Sequence, residues 1–206
     1  TTLFHVLVLA IAVALIGVVH LSQRAAEDRL RRDLAGVDLV IGASGGPLQI
    51  VLSSVFQTDV PTGNIPNNIL ESLRREPLVR SATPLALGDS VRGVRIVGTD
   101  QSYFGLYRAE PADGRTWRAP MEAVIGAEAS RRLGLGVGDT FKGEHGLNGG
   151  EAHGEPYRVV GVLAPTGATP DRVILTSVES VWALHGAHGH EDHEGSADHA
   201  HGHEHE

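Results

Sequence analysis

Apolar and polar positions divide the chain into three regimes: a long apolar run at the start, a middle of short apolar stretches punctuated by glycine and proline, and a polar strip at the end. Leu3 to Val19 is apolar except for His5. At ~1.5 Å per residue, such a helix covers most of a ~30 Å hydrocarbon core. A membrane span, a signal peptide and a buried core helix all share this pattern. A signal peptide needs basic residues ahead of the run and a small-residue cleavage site behind it. Here the run passes into His20, Leu21 and an Arg-rich segment, so the expectation is a membrane span, beginning upstream of Thr1. Ser22 to Leu34 is rich in Ala, Glu, Asp, Arg and Leu and has neither Gly nor Pro, which predicts that the helix continues into water as a charged stalk.

The middle regime changes period repeatedly. Val37 to Ile41 is a strand candidate ending at the turn cluster Gly42, Gly45, Gly46, Pro47. A second apolar run, Leu48 to Phe56, leads into turn residues from Asp59 to Pro66. Asn67 to Arg75 is amphipathic, with Asn67 or Asn68 as cap and Pro77 as terminator. Val79 to Leu87 and Val91 to Gly98 predict a hairpin about Gly88 and Asp89. Strand, helix, strand, strand is half of a small α+β sandwich. Beyond Asp100, strands are expected at Ala123 to Ile125, Thr140 to Lys142, Tyr157 to Leu163 and Arg172 to Thr176. Ala127 to Leu133 predicts a helix stopped by Gly134, and Ser177 to Leu184 a last helix capped by Ser177, with Glu179 where a negative charge suits the dipole.

Composition adds chemistry mainly at the end. Net charge is -8, and Leu184 to Glu206 holds six carboxylates with no Lys or Arg, so the rest is nearly balanced. No basic patch points to nucleic acid. With no cysteine, a Cys-based structural zinc site is excluded, and the redox compartment stays open. The same strip carries eight of the twelve histidines: His185, His188, His190 and His193 in one cluster, and His199, His201, His203 and His205 alternating with other residues. Imidazole and carboxylate are the ligand set of divalent transition metals, and a strip too polar to fold would bind them weakly, at several sites and in fast exchange. Zinc is the favoured ion. A solvated linker is the plain alternative. Gly143 to Glu155 is a smaller version, with His145 and His153 as weaker ligand candidates, against an ordinary solvated hairpin loop.

Gly42, Ser44 and Gly46 satisfy G-x-S-x-G, the pattern of a nucleophile elbow. That fold requires earlier strands to supply an oxyanion-hole amide, and only the membrane helix and stalk precede Ser44, so a glycine turn is expected and no catalytic residue is assigned. No phosphate-cradling G-x-x-x-x-G-K-[ST] motif occurs either.

The succession "DLVIGASGGPLQIVLSSVF", "DVPTGNIP", "EAVIGAEASRRLGLGVGDTF", "YRVVGVLAPTG" and "DRVILTSVESVWAL" resembles the extracytoplasmic domain of FtsX-like and MacB-like ABC transporter permeases over nearly the whole chain. The resemblance implies an α+β fold: a transmembrane helix over 1–21, a stalk over 22–35, a porter-like α+β half over 36–99, a β-rich inserted subdomain over 100–184, and a disordered His/acid-rich segment over 185–206. It also implies a fragment of a longer permease that is not itself an enzyme. A separate ATP-binding subunit, a dimer of permease subunits and a periplasmic partner protein would accompany it, in the bacterial cytoplasmic membrane with the folded domain outside. That placement overrides the positive-inside count of Arg24, Arg29, Arg31 and Arg32, because long domains translocate largely regardless of charge. No cofactor is required by this reading, and zinc or another divalent ion would be an additional ligand. The histidine strip departs from the family pattern and resembles tracts of bacterial zinc-homeostasis proteins. The competing function is a membrane-anchored metal-binding or sensing module without transport.

Overall fold

The computed structural model describes residues 2–146 and 155–188. The apolar run and the charged stalk form one unbroken helix, α1 (Thr2–Asp33). Its 32 residues extend ~48 Å, well beyond a ~30 Å hydrocarbon core. Among the described residues it is the one helix long and apolar enough to cross a membrane, and none of its most apolar stretch is buried against the rest of the chain. Arg31 and Arg32 in its last turn suit the negative end of the helix dipole.

Val37 to Ile41 does not form the expected strand: the segment has no ladder partners among the described residues, and Leu39 and Ile41 are exposed. The apolar pattern there was legible, but a strand needs a neighbour. Helix α2 (Pro47–Ser54) follows, with Pro47 at its first turn where no donor is lost. Helix α3 (Asn68–Arg75) starts after Asn67, whose side chain makes no capping bond.

The hairpin of β1 (Ala86–Val91) and β2 (Val94–Thr99) is present, but its turn is displaced from the expected place. Arg92 and Gly93, at φ 47° and 74°, are the two central turn residues, the left-handed pair of a type I′ hairpin. Gly88 and Asp89 instead mark a bulge, where the register between Leu87 and Ser90 shifts. Two unforeseen elements follow, α4 (Ser102–Tyr107) and β3 (Pro111–Gly114). Then come β4 (Glu122–Ile125), α5 (Ala127–Leu133), β5 (Thr140–Phe141), β6 (Glu144–His145) and β7 (Tyr157–Leu163), followed by a 3-10 turn (Thr169–Arg172), β8 (Ile174–Ser177) and α6 (Val178–His188). Gly134 ends α5 at φ 68°. Ser177 Oγ accepts the Ser180 N–H at 3.2 Å, the expected cap of α6. That helix runs past Leu184 to His188. Gly186 alone opposes this extension, and a helix tolerates one glycine at a cost of about 1 kcal/mol.

The strands make one mixed sheet in the order β3-β7-β4-β8-β2-β1-β6, and β5 also pairs with β7. Thus the hairpin before residue 99 and the strands after it share a sheet, joined by the parallel β2–β8 ladder from Ile96↔Ile174 to Thr99↔Ser177. Both faces are buried, as the two-residue period requires. Ile96, Ile125, Val159 and Ile174 face one cluster with Ala129 and Leu133 of α5; Val97, Val124, Val160 and Leu175 face the other with Tyr103 and Phe104 of α4. At Gly98 an added Cβ would lie 2.7 Å from Val181, so this glycine lets α6 seat directly on β2.

The sheet also curls. Strand β5 lies against β7 near one edge, β6 lies against β1 at the other, and only Lys142 and Gly143 separate them. Three Cα steps reach at most ~11 Å, so the two edges come within about two strand spacings. Val91 of β1, Phe141 of β5 and Tyr157 of β7 accordingly share one buried cluster. The result is a partly closed barrel.

Candidate functional site

The geometry with most functional content is the joint where α1 meets the sheet. Gly36, at φ 84°, reverses the chain after the helix, and a Cβ there would meet Leu106 at 3.0 Å, so the turn can press against α4. Immediately before it, Asp33 is 2% exposed. A carboxylate in the last turn of a helix opposes the dipole and needs compensation. Arg172 supplies it, its guanidinium 2.9 Å from Asp33 Oδ2. Thr169 Oγ1 sits 3.1 Å from Asp33 Oδ1 and 2.9 Å from the Val55 carbonyl, so one hydroxyl links the end of α1 to the segment after α2.

Around this core, Tyr107 on α4 donates its hydroxyl to the Asp33 carbonyl at 3.3 Å. Burial, with the Asp33 charge second, pushes the Tyr107 phenol up to about 12, so it stays a donor at any physiological pH. Arg32 Nε donates to the Gly167 carbonyl at 3.0 Å. The loop that provides Gly167, Thr169 and Arg172 is held by Asp171, which accepts from Thr166 N, Thr166 Oγ1 and Gly167 N, each at 2.8 Å. Gly126 leaves room for the same loop: a Cβ there would lie 2.1 Å from the Pro170 carbonyl oxygen. Helix α1 is thus fixed by charge and hydrogen bonds to a loop that leads directly into β8, the strand between β4 and β2.

A second anchor seats the segment after α2. Arg95 of β2, 4% exposed, donates to the carbonyls of Gln57 at 3.1 Å and Asp59 at 2.7 Å. Burial lowers its pKa and nearby Asp59 partly offsets that. Elsewhere in the sheet, Arg115 and Glu122 form a two-point ion pair at 2.7 and 2.6 Å. Bonds from Arg115 hold the Glu122 carboxyl down at about 2, and backbone amides of Arg118 and Ala119 add to this.

Of the residues singled out for metal, His145 is in β6, half-exposed, with Nδ1 3.5 Å from the buried Asp89 Oδ1. His185 and His188 fall on the last turn of α6. His153, His190, His193, His199, His201, His203 and His205 lie outside the described residues. Among the described residues no three His, Asp or Glu side chains converge on one point. Ser44 stands in a bend ahead of α2, with no strand before it. Its backbone is not in the left-handed region, and Thr62 Oγ1 closes the bend by donating to the Ala43 carbonyl at 2.9 Å. The motif is a glycine turn. The joint itself was missed in the sequence, although an acid placed against a helix dipole at Asp33 and the cluster Pro165, Thr166, Gly167, Pro170, Asp171 were signals of it.

An apolar helix thus runs into a mixed α+β sheet domain, and a buried ion pair locks the two together. The chain belongs to the MacB-like periplasmic core domain family, which matches residues 1–196. Among solved structures it is similar to the periplasmic region of MacB from Actinobacillus actinomycetemcomitans, at 16% identity and a TM-score of 0.43, covering 58% of each chain. It is also similar to the extracellular domain of the noncanonic ABC-type transporter YknZ from Gram-positive bacteria, at 14% identity and a TM-score of 0.43, covering 59% of this chain and 67% of that one. The chain therefore spans somewhat more than half the length of the first. No curated protein matches it.

Proposed function

We propose that this chain is the periplasmic part of a permease subunit in a MacB/FtsX-like ABC transporter of the bacterial cytoplasmic membrane. In this reading a separate subunit hydrolyses ATP, two permease subunits work as a dimer with a periplasmic partner protein, and movement of the membrane helices is passed to the periplasmic domain. The observation that carries the reading is the joint. A hinge of glycines would let α1 swing freely, whereas Asp33, Arg172, Thr169 and Arg32 tie its last turn to the sheet, so a tilt of the helix moves the domain with it. Interfaces with two discrete packings transmit displacement in this way.

The histidine strip adds zinc, or another divalent ion, as a ligand of the same subunit. The support is its composition, eight imidazoles among six carboxylates.

A spin label at Leu78→Cys, a site 93% exposed, reports on one place in each subunit once any cysteines elsewhere in the transporter are replaced; residues 1–206 contribute none. In the assembled transporter, the distance between labels is expected to change between the ATP-trapped and nucleotide-free states, and Asp33→Asn to reduce that change while ATP hydrolysis continues. A label distance indifferent to nucleotide would overturn the coupling role, and absence of a label–label signal would overturn the dimer.

A further inference from the structure

Helix α6 starts where β8 ends, at the level of Thr99, and runs back over β2. A Cβ added at Gly98 would stand 3.3 Å from Val178 and 2.7 Å from Val181, and Leu184 is buried in the cluster that holds Val91, Val94 and Leu133. From Val181 to His188 the helix advances ~10 Å, and β2 covers ~13 Å from Gly98 to Val94. The chain therefore leaves α6 close to the hairpin turn at Arg92 and Gly93. The end of α5 meets the same turn: Arg92 Nη2 donates to the Leu133 carbonyl at 2.6 Å, and Arg132 Nη2 to the Arg92 carbonyl at 3.4 Å. Arg131 shares that last turn of α5. On the edge, β6 sets His145 and Glu144 against Asp89 and Ser90 of β1, and continuing that register brings Lys142 abreast of Arg92. Arg92, Arg131, Arg132 and Lys142, all exposed, thus gather at one end of the sheet.

We infer that this basic rim docks the acidic strip that follows α6, residues 189–206, as a latch within one chain. Reach and charge both select that occupant. Glu191, Asp192 and Glu194 come three, four and six residues after His188, hence at most ~11, ~14 and ~22 Å from it. Asp198, Glu204 and Glu206 follow, and the strip has no Lys or Arg to oppose them. On the rim, Glu128, four residues before Arg132, and Glu144, opposite Ser90, offset two of the four cations and leave it net positive. None of the four is in an ion pair among the described residues. The place of Arg131 and Arg132 in the last turn of α5 suits the helix dipole, which amounts to about half a charge and leaves the guanidinium heads in water. Each contact to a carboxylate there is weak, so the latch depends on several being made at once. Its use is regulatory. On the reading proposed above that the strip takes up zinc, the ion neutralises the same carboxylates and gathers them around itself, so metal frees the rim.

The test uses the full chain in detergent, isotope-labelled for magnetic resonance and carrying a nitroxide at Ser196→Cys, the single cysteine of residues 1–206. The reference is α4, which packs on the opposite face of the sheet. At ~0.1 M salt, with a Debye length of ~10 Å, amides of residues 92–93, 131–134 and 142–143 should broaden at least about threefold more than those of α4, and at ~1 M salt, with a Debye length of ~3 Å, that excess should vanish. Arg131→Gln with Arg132→Gln and Lys142→Gln should abolish it. Glu191→Gln with Asp192→Asn and Glu194→Gln should do the same, and changes no residue of the sheet or its helices should the first variant fail to fold. Zinc, followed by calorimetry on the same sample, should abolish it as well. No excess broadening at low salt overturns the latch, and so does equal broadening in the variants and their parent. Broadening seen only when a nitroxide-bearing chain is mixed with a separate isotope-labelled chain overturns docking within one chain in favour of contact between copies. Zinc bound without loss of broadening overturns release by metal. Absence of zinc uptake overturns the strip as a zinc ligand, while the latch stands on salt and the two variants.

Discussion

Arg172 reaches Asp33 across 139 positions of sequence, and the two meet at 2.9 Å with the carboxylate almost wholly buried and the guanidinium side chain 23% exposed. This unequal burial makes the two halves of the pair unequal in consequence. Arg172→Met strands a buried carboxylate and is expected to cost about 3–5 kcal/mol. Asp33→Asn leaves a partly hydrated guanidinium and an amide that can still meet Thr169, at about 1–3 kcal/mol. Urea unfolding of the detergent-solubilised chain, followed by circular dichroism, measures both. Equal costs would show that the pair is not buried as described.

Acid should weaken the domain through Glu122. Its folded pKa, about 2, lies below the ordinary 4.5, so the ion pair with Arg115 contributes fully above pH 4.5 and is lost as pH falls from about 4.5 to about 2. The Glu122→Gln variant should be less stable than the native chain at neutral pH and show a shallower fall across that window. Urea midpoints between pH 2 and pH 7 read the difference, and parallel profiles would remove Glu122 from the account.

Two glycines separate space from conformation. At Gly126 a methyl group would stand 2.1 Å from a backbone oxygen although the φ of -65° suits any residue. At Gly134 nothing lies within 4 Å of an added Cβ, but φ is 68°. Gly126→Ala is expected to cost about 3 kcal/mol or more by forcing the 168–172 loop away. Gly134→Ala should cost about 1 kcal/mol through left-handed strain alone. Thermal melts of both variants rank them.

Replacing the eight tail histidines by Ser should remove most zinc capacity at neutral pH and leave the circular dichroism spectrum unchanged. Because metal binds only unprotonated imidazole, and imidazole titrates near pH ~6.5, the native chain should lose zinc steeply by pH ~5.5. Titration calorimetry at the two pH values checks the capacity and its proton competition.

Elements that depend on local signals were legible in the sequence. Helix α5 with its stop at Gly134, strand β7, and the Ser177 cap follow from period, glycine and hydroxyl placed in sequence. What was not legible depends on residues far away. Val37 to Ile41 has strand character without a partner, Gly88 and Asp89 carry turn chemistry but lie in a bulge because Arg92 and Gly93 take the turn, and short α4 is held by burial of Tyr103 and Phe104 rather than by a periodic pattern. The joint is the extreme case, since Asp33 gains its meaning only from Arg172, and chain topology decides which arginine arrives there.

The curled sheet and its parallel β2–β8 ladder set a timetable for folding. Sheets dominated by pairings distant in sequence form in roughly milliseconds to seconds once the chain is complete. Completion is slower: β2 ends at Thr99 and its neighbour β8 at Ser177, so at ~5–20 residues per second the hairpin waits roughly 4–16 s for its partner. For that interval the edge of β2, with Val94, Ile96 and Val97, is open to any other strand that comes within reach. Slowing synthesis between residues 99 and 177 should therefore lengthen that exposure and increase aggregation of the nascent chain.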